Sequence, residues 1–190
     1  MALIDALREW EAQWRAAGAP VDRLKAPGNS GSEIREALGW SEPHPDVITW
    51  FTWQGGVASG TVFFVMPPTG HEPLSLDGVA TWRETLHKVV PARAGVEPDP
   101  AWLPLLLGEN ASTILMDQRT GEIIRFQNLN QVDVDEPPLR KVSDDLESLV
   151  RRWISINERV GPVWSLQYDD GFDYDQSLLT EEEQRLGIVG

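Results

Sequence analysis

The stretch WLPLLLGENASTILMDQRTGEIIRF, residues 102–126, holds three apolar runs separated by two small-polar breaks. The runs WLPLLL (102–107), STILMD (112–117) and EIIRF (122–126) are five or six residues long. Runs of that length, rich in branched and aromatic side chains and bounded by Gly, Asn and Ser, read as strands rather than helices. The break QRTG ends on Gly121, which supplies the positive φ that a short hairpin loop requires. The same turn brings Asp117 and Glu122 together, so a working carboxylate pair has to be weighed against a simple turn. Acid–base work needs a cleft and two environments that drive the pKa values apart. A turn needs only an Asp at its first position to bond local backbone amides. The hairpin is the reading adopted.

Working outward, TVFFVM (61–66) is expected to be a further strand, closed by PPTG, and LDGVATWRETLHK (76–88) a helix. Toward the N-terminus, Leu3, Leu7, Trp10 and Trp14 fall on one face of a 3.6-residue period, an amphipathic helix. AGAPVDRLKAPGNS breaks it with Gly and Pro. A second helix starts at Ser30, with Glu33 three residues on as in a capping box, apolar Ile34 and Leu38, and Gly39 to end it. PDVITWFTWQGG reads as a third helix, with Pro45 at its start and Gly55–Gly56 past its end. Beyond the hairpin, the polar stretch QNLNQVDVDEPP separates the sheet from a helix over 143–159. Ser143 is its expected N-cap, and Leu146, Leu149, Val150, Trp153 and Ile154 form its apolar stripe. The class is therefore α+β: N-terminal helices, an antiparallel meander sheet and a closing C-terminal helix. Residues 1–160 read as one domain. Residues 161–190, which alternate acids and aromatics and end in a short helix capped by Thr180, read as an acidic extension packed on or near it.

The chain has no cysteine, which excludes disulfides, thiol catalysis, Cys-ligated zinc and iron–sulfur clusters together. His44, His71 and His87 have no second ligand at metal spacing, so no metal and no cofactor is expected. GNSGS (28–32) misses the G-x-S-x-G nucleophile elbow by its last residue and reads as a helix cap. The match NAS (110–112) to a glycosylation acceptor has no meaning without a secretory signal. No apolar run approaches the roughly 18–20 residues of a membrane span, and the N-terminus has neither a basic segment nor a cleavage site. The expected address is cytoplasmic.

The net charge is −14 over 190 residues. Residues 1–95 carry 11 acids against 8 bases and residues 96–190 carry 19 against 8, so the excess sits in the second half. Such a surface repels phosphate backbones, which argues against direct nucleic-acid binding, and speeds encounter with a basic protein. YDDGFDYD gathers Asp169, Asp170, Asp173 and Asp175 without the register of a calcium loop. These four are the first candidates for a cation-docking patch, against the alternatives of a solvated acidic loop and a weak calcium site. Glu109, Asp133 and Asp135 are second choices. Trp50, Trp53 and Trp102 are candidate aromatic anchors, since Trp is enriched where proteins bind proteins, with core packing as the competing reading.

The order of these pieces resembles the SUKH superfamily, which includes cell-wall-assembly regulators and bacterial toxin-immunity proteins. GNSGSEIREALGW is similar to the family's small-polar, Glu-Ile, then Leu-Gly segment, and PDVITWFTWQGG to its Pro-Asp helix ending in a Gly turn. LSLDGVATW resembles the link into the middle helix, and residues 102–126 the Trp-x-Pro strand, polar turn, Leu-x-Asp and Gly turn. The helix at 143–159 matches the closing helix, so the resemblance covers about residues 1–159. The second helix is shorter than the family's spacing, SEPHP replaces the Leu-Pro that commonly follows it, and the usual Asn-Gly turn is Gly55–Gly56. The resemblance implies a non-catalytic protein-binding module. Its partner would be a cognate, basic toxin domain such as a nuclease, neutralised by stoichiometric occlusion. A regulatory or scaffold protein of the same fold, with a housekeeping partner, is the alternative.

Overall fold

The computed structural model describes residues 2–61, 64–108, 112–127, 137–165 and 171–183. Four helices come first: α1 (Leu3–Ala16), α2 (Val21–Leu24), α3 (Gly31–Leu38) and α4 (Pro45–Trp53). The stripe read from the sequence is the buried face of α1, with Leu3, Leu7, Trp10 and Trp14 all in the core. Ser30 caps α3 in the expected box, and Gly39 ends it at φ 67°. Pro45 occupies the first turn of α4 behind His44, whose Nδ1 accepts from Asp46 N–H at 3.2 Å. The one-turn α2, inside the Gly- and Pro-broken segment, was not anticipated by its periodicity.

The sheet comprises β1 (Glu72–Pro73), β2 (Trp102–Leu107), β3 (Thr113–Asp117), β4 (Ile123–Phe126) and β5 (Leu139–Ser143). The strands lie in sequence order and every neighbouring pair is antiparallel, so the sheet is a meander. A bulge between Pro104 and Leu106 turns Leu103, Leu105 and Leu106 all inward. Central β3 is buried along its whole length because both its faces are covered. One face, through Ile114 and Met116, joins the main core with α1 and α6 (Leu146–Val160). The other, through Leu115 and Phe126, packs on Leu86 and Val90 of α5 (Leu76–Ala94).

The main core is unusually aromatic. Trp10 stacks on Trp153 at 4.8 Å between ring centres, meets Trp14 edge-on at 4.6 Å, and neighbours Trp53 at 6.1 Å. Such pairs add to the area they bury, about 0.5–1.5 kcal/mol each. The wet end of this cluster is closed by Glu11, whose carboxylate accepts from Trp53 Nε1 at 2.9 Å, from Arg15 at 2.8 Å and from Lys25. Burial pushes the Glu11 carboxyl up, but the bonds from Lys25, Arg15 and Trp53 outweigh it and hold the group below its ordinary range.

Several expectations need correcting. Within 61–66, Thr61, Phe64 and Val65 belong to no strand and Met66 makes only an isolated bridge to His71, because Pro67 and Pro68 offer no N–H and the chain turns back at once; Val62 and Phe63 lie outside the described residues. Ser143 is not a helix cap. It is the last residue of β5, paired with Ile123, and Asp145 caps α6 by accepting from Ser148 N–H at 2.7 Å. The helix foreseen over 76–88 runs on to Ala94 through Pro91. The extension, for which the sequence indicates only a short helix, also holds a hairpin: β6 (Val163–Ser165) pairs antiparallel with β7 (Gly171–Asp173), and Thr180 caps the short α7 (Glu181–Glu183) as expected.

Candidate functional site

A cleft of about 450 Å³ opens between α3, the end of α4 and the start of α5. Its walls are built by close backbone approach. Ala26 and Gly56 exchange a bond (Ala26 N–H to Gly56 carbonyl, 2.9 Å), Gly55 N–H donates to the Ala26 carbonyl at 3.1 Å, and Asn29 N–H to the Phe51 carbonyl at 2.8 Å. A Cβ on Gly28 would overlap the Thr52 carbonyl, and one on Gly55 the Pro27 carbonyl. No other residue lets segment 26–29 lie this close to the end of α4.

On this frame stand three carboxylates that line the cleft: Glu33 and Glu36 of α3, and Asp77 of α5. Glu33 accepts from Ser30 N–H at 2.7 Å and from the Ser30 hydroxyl at 2.7 Å, and the hydroxyl bond above all holds its carboxyl below the ordinary range. Ser75, also in the lining, caps α5 by accepting from Gly78 N–H at 3.1 Å. Asn29 and Leu76 complete the mouth with one amide and one apolar side chain. Chemically, this is a concave surface suited to a cationic group. The sequence reading passed over these three acids. The signal available was the three-residue spacing of Glu33 and Glu36, which puts both on one face of a short helix. That Asp77 lines the same cleft depends on how α3 packs on α5, which no local pattern carries.

The residues chosen from the sequence are scattered. Asp173 is exposed on β7, and Asp175 is exposed but occupied: it accepts from Ser177 N–H at 3.0 Å and from the Ser177 hydroxyl at 2.6 Å, a bond that lowers its pKa. Asp169, Asp170, Glu109, Asp133 and Asp135 lie outside the described residues. Trp50 is fully buried and Trp53 nearly so, 5.4 Å apart within the aromatic core, so neither presents a surface to a partner. Trp102 is half-buried against the second cluster, beside Leu115 and Phe126.

Asp117 and Glu122 are drawn apart into separate ion pairs. Asp117 takes Arg119 N–H at 2.8 Å and the Arg119 guanidinium at 2.8 Å, and that guanidinium chiefly keeps its carboxyl ionised. Glu122 is held by Lys141 at 2.5 Å, and Gly121 turns the chain at φ 82°. The pair is a hairpin closure. Among the described residues no group of three or more His, Asp or Glu side chains is placed to hold a metal ion, and no helix is long and apolar enough to cross a membrane.

Neither a protein-family model nor any curated protein matches this chain.

Proposed function

We propose that this protein is a cytoplasmic binding module of SUKH immunity type that neutralises a basic protein domain by occluding it. The observation that carries the reading is the cleft lined by three acidic residues, Glu33, Glu36 and Asp77, and by no basic one, on a chain of net charge −14. A cleft lined by one sign of charge focuses the field and draws a cationic partner in, while the polar groups around it fix register. The partner's Lys or Arg side chains enter the cleft, and the acidic surface around it sets the speed of encounter. The absence of cysteine fits a reducing compartment.

The test is capture of partners from the native cells at low and high salt, followed by binding rates for the captured protein. One basic partner, near-stoichiometric and released by salt, is the expected outcome. Glu33→Gln, Glu36→Gln and Asp77→Asn together should slow association at low salt by about tenfold, with little change at high salt. Several partners indifferent to salt would sink the occlusion reading and favour a scaffold of the same fold.

A further inference from the structure

We propose that the turn Met66–His71 is an acid-opened latch that ties the start of the sheet to the α1–α6 helix pair. The turn is held from inside and from both sides. Met66 N–H donates to the His71 carbonyl at 3.0 Å, Thr69 N–H to the Met66 carbonyl at 2.8 Å, and His71 N–H to the Thr69 hydroxyl at 3.0 Å. From the helices, Trp10 Nε1 of α1 and Asn157 Nδ2 of α6 both donate to the Pro67 carbonyl, at 2.8 and 3.3 Å. On the sheet side, Glu72 follows His71 directly and pairs with Leu107.

The His71 ring lies within this turn and is only 3% exposed. Nδ1–H donates to the Thr69 carbonyl, which fixes the tautomer and leaves Nε2 as a bare lone pair. Among the described residues no hydrogen-bond partner reaches Nε2. The ring presses on the Gly108 backbone so closely that a Cβ there would stand 2.7 Å from Nε2. A proton added at Nε2 would place a charge in a buried site with no acceptor among the described residues. It binds more readily once the turn swings out.

The charged groups around the ring set the sign. Burial and, less strongly, the Arg125 cation on β4 hold the His71 pKa down at about 4, against an opposing pull from the Thr69 carbonyl. Glu72, on β1, is the neighbouring acid; burial raises its pKa, so it binds its proton more readily in the closed state and works against opening in acid. The groups that α1 and α6 bring to the turn, Trp10 and Asn157, are uncharged. An exposed histidine titrates near 6.5, so the open state takes up the proton first. Each unit of acidification across that window then favours opening by nearly tenfold, and by about 300-fold in total. The latch is shut at neutral pH and loosens below about pH 6.

Hydrogen exchange of the full chain between about pH 7 and pH 4.5, corrected for the intrinsic rate, reads the opening directly. The opening constant of the peptide spanning the turn should climb almost tenfold per unit in the wild type, more steeply still in Glu72→Gln, and fall slightly with acidification in His71→Gln, where, of the two, only Glu72 still titrates. Amides of α6 should remain protected throughout. A flat wild-type profile, an equal climb in His71→Gln, or simultaneous loss of α6 protection would each overturn the latch. Should His71→Gln fail to fold, the ring titration of wild-type His71 by NMR decides instead. A pKa near 6.5 in the folded protein is incompatible with the proposal, and one near 4 is required by it.

Discussion

The cleft between α3 and α5 and the extension that begins at Val163 are both acidic, yet they are attached to the protein in opposite ways. The cleft is walled by backbone against backbone, at distances only glycine permits, between segments that also carry the main core. The described part of the extension lies on the core by side-chain packing, with Leu179 buried and Trp164, Phe172 and Tyr174 partly buried against it, and is tied by Trp164 N–H to the Ala17 carbonyl at 2.9 Å and by Arg159 to the Leu178 carbonyl at 3.2 Å. Charge on a rigid wall is pre-organised and loses little entropy on binding; charge on a strap can move to meet a partner. The two acidic regions are thus held in different ways, and mutations can separate them.

The largest effect should come from the cleft wall. Gly28→Ala forces its Cβ into the Thr52 carbonyl, and neither side can yield without moving α4 off the Trp core. A loss of about 3 kcal/mol or more is expected, read as a lower midpoint in urea. If Gly28→Ala unfolds like the wild type, the wall is pliable and the contrast with the strap collapses. The next largest is Leu179→Ala. It removes the apolar anchor of the strap, with an expected cost of about 2–3 kcal/mol. Because Leu179 is buried where Trp164, Phe172 and Tyr174 are only partly so, this should appear as rapid exchange of the amides at 171–183 while α6 keeps its protection. Loss of protection in α6 as well would show that the strap and the core open as one unit.

Much of this architecture could be read from local pattern. The periodicity of Leu3, Leu7, Trp10 and Trp14, the box formed by Ser30 and Glu33, and the turn at Gly121 are each settled within one or two helical turns or a single hairpin, so residues near in sequence suffice. What failed was decided at long range. Residues 139–142 take no element from the sequence and Ser143 reads as a helix cap; Leu139–Ser143 is a strand because β4 offers it a ladder, Arg125 opposite Arg140 and Ile124 opposite Lys141. TVFFVM has every local mark of a strand, but Met66 finds only His71 across an immediate turn. Trp50 and Trp53 were candidates for a partner surface because their spacing suits an exposed stripe. The α1 tryptophans, far away in sequence, pack against Trp53 and close that face. The cleft acids were missed for a related reason. Glu33 and Glu36 share a helix face visibly, whereas Asp77 joins them only after about forty intervening residues have folded.

The hairpin that opened the problem offers a pH test. Arg119 depresses the pKa of Asp117, so its contribution to stability is fully present above the ordinary aspartate pKa of about 4 and is lost as pH falls through the lowered folded value. Asp117→Asn should lower stability at neutral pH and flatten the acid limb. An acid limb unchanged from wild type would show that the Arg119 pair does no more than shape the turn.

The smallest expected effect lies in a charged clamp on the strap. Arg159, near the end of α6, donates to the Leu178 carbonyl and pairs with Glu183, whose carboxylate also accepts from Thr180 N–H at 2.7 Å. The guanidinium is well exposed, so water competes for it and the pair is worth about 0.5–1 kcal/mol. Arg159→Ala should leave the urea midpoint almost unchanged while speeding exchange at 177–183 several-fold, and high salt should reproduce part of that gain in the wild type. Arg159→Lys keeps the charge but loses the planar fork, so it should recover the salt-sensitive part of the protection without the carbonyl bond. If Arg159→Ala instead cost as much as Leu179→Ala, the strap would be held by charge rather than by its apolar anchor, and the acids it carries would be fixed in place as firmly as those of the cleft.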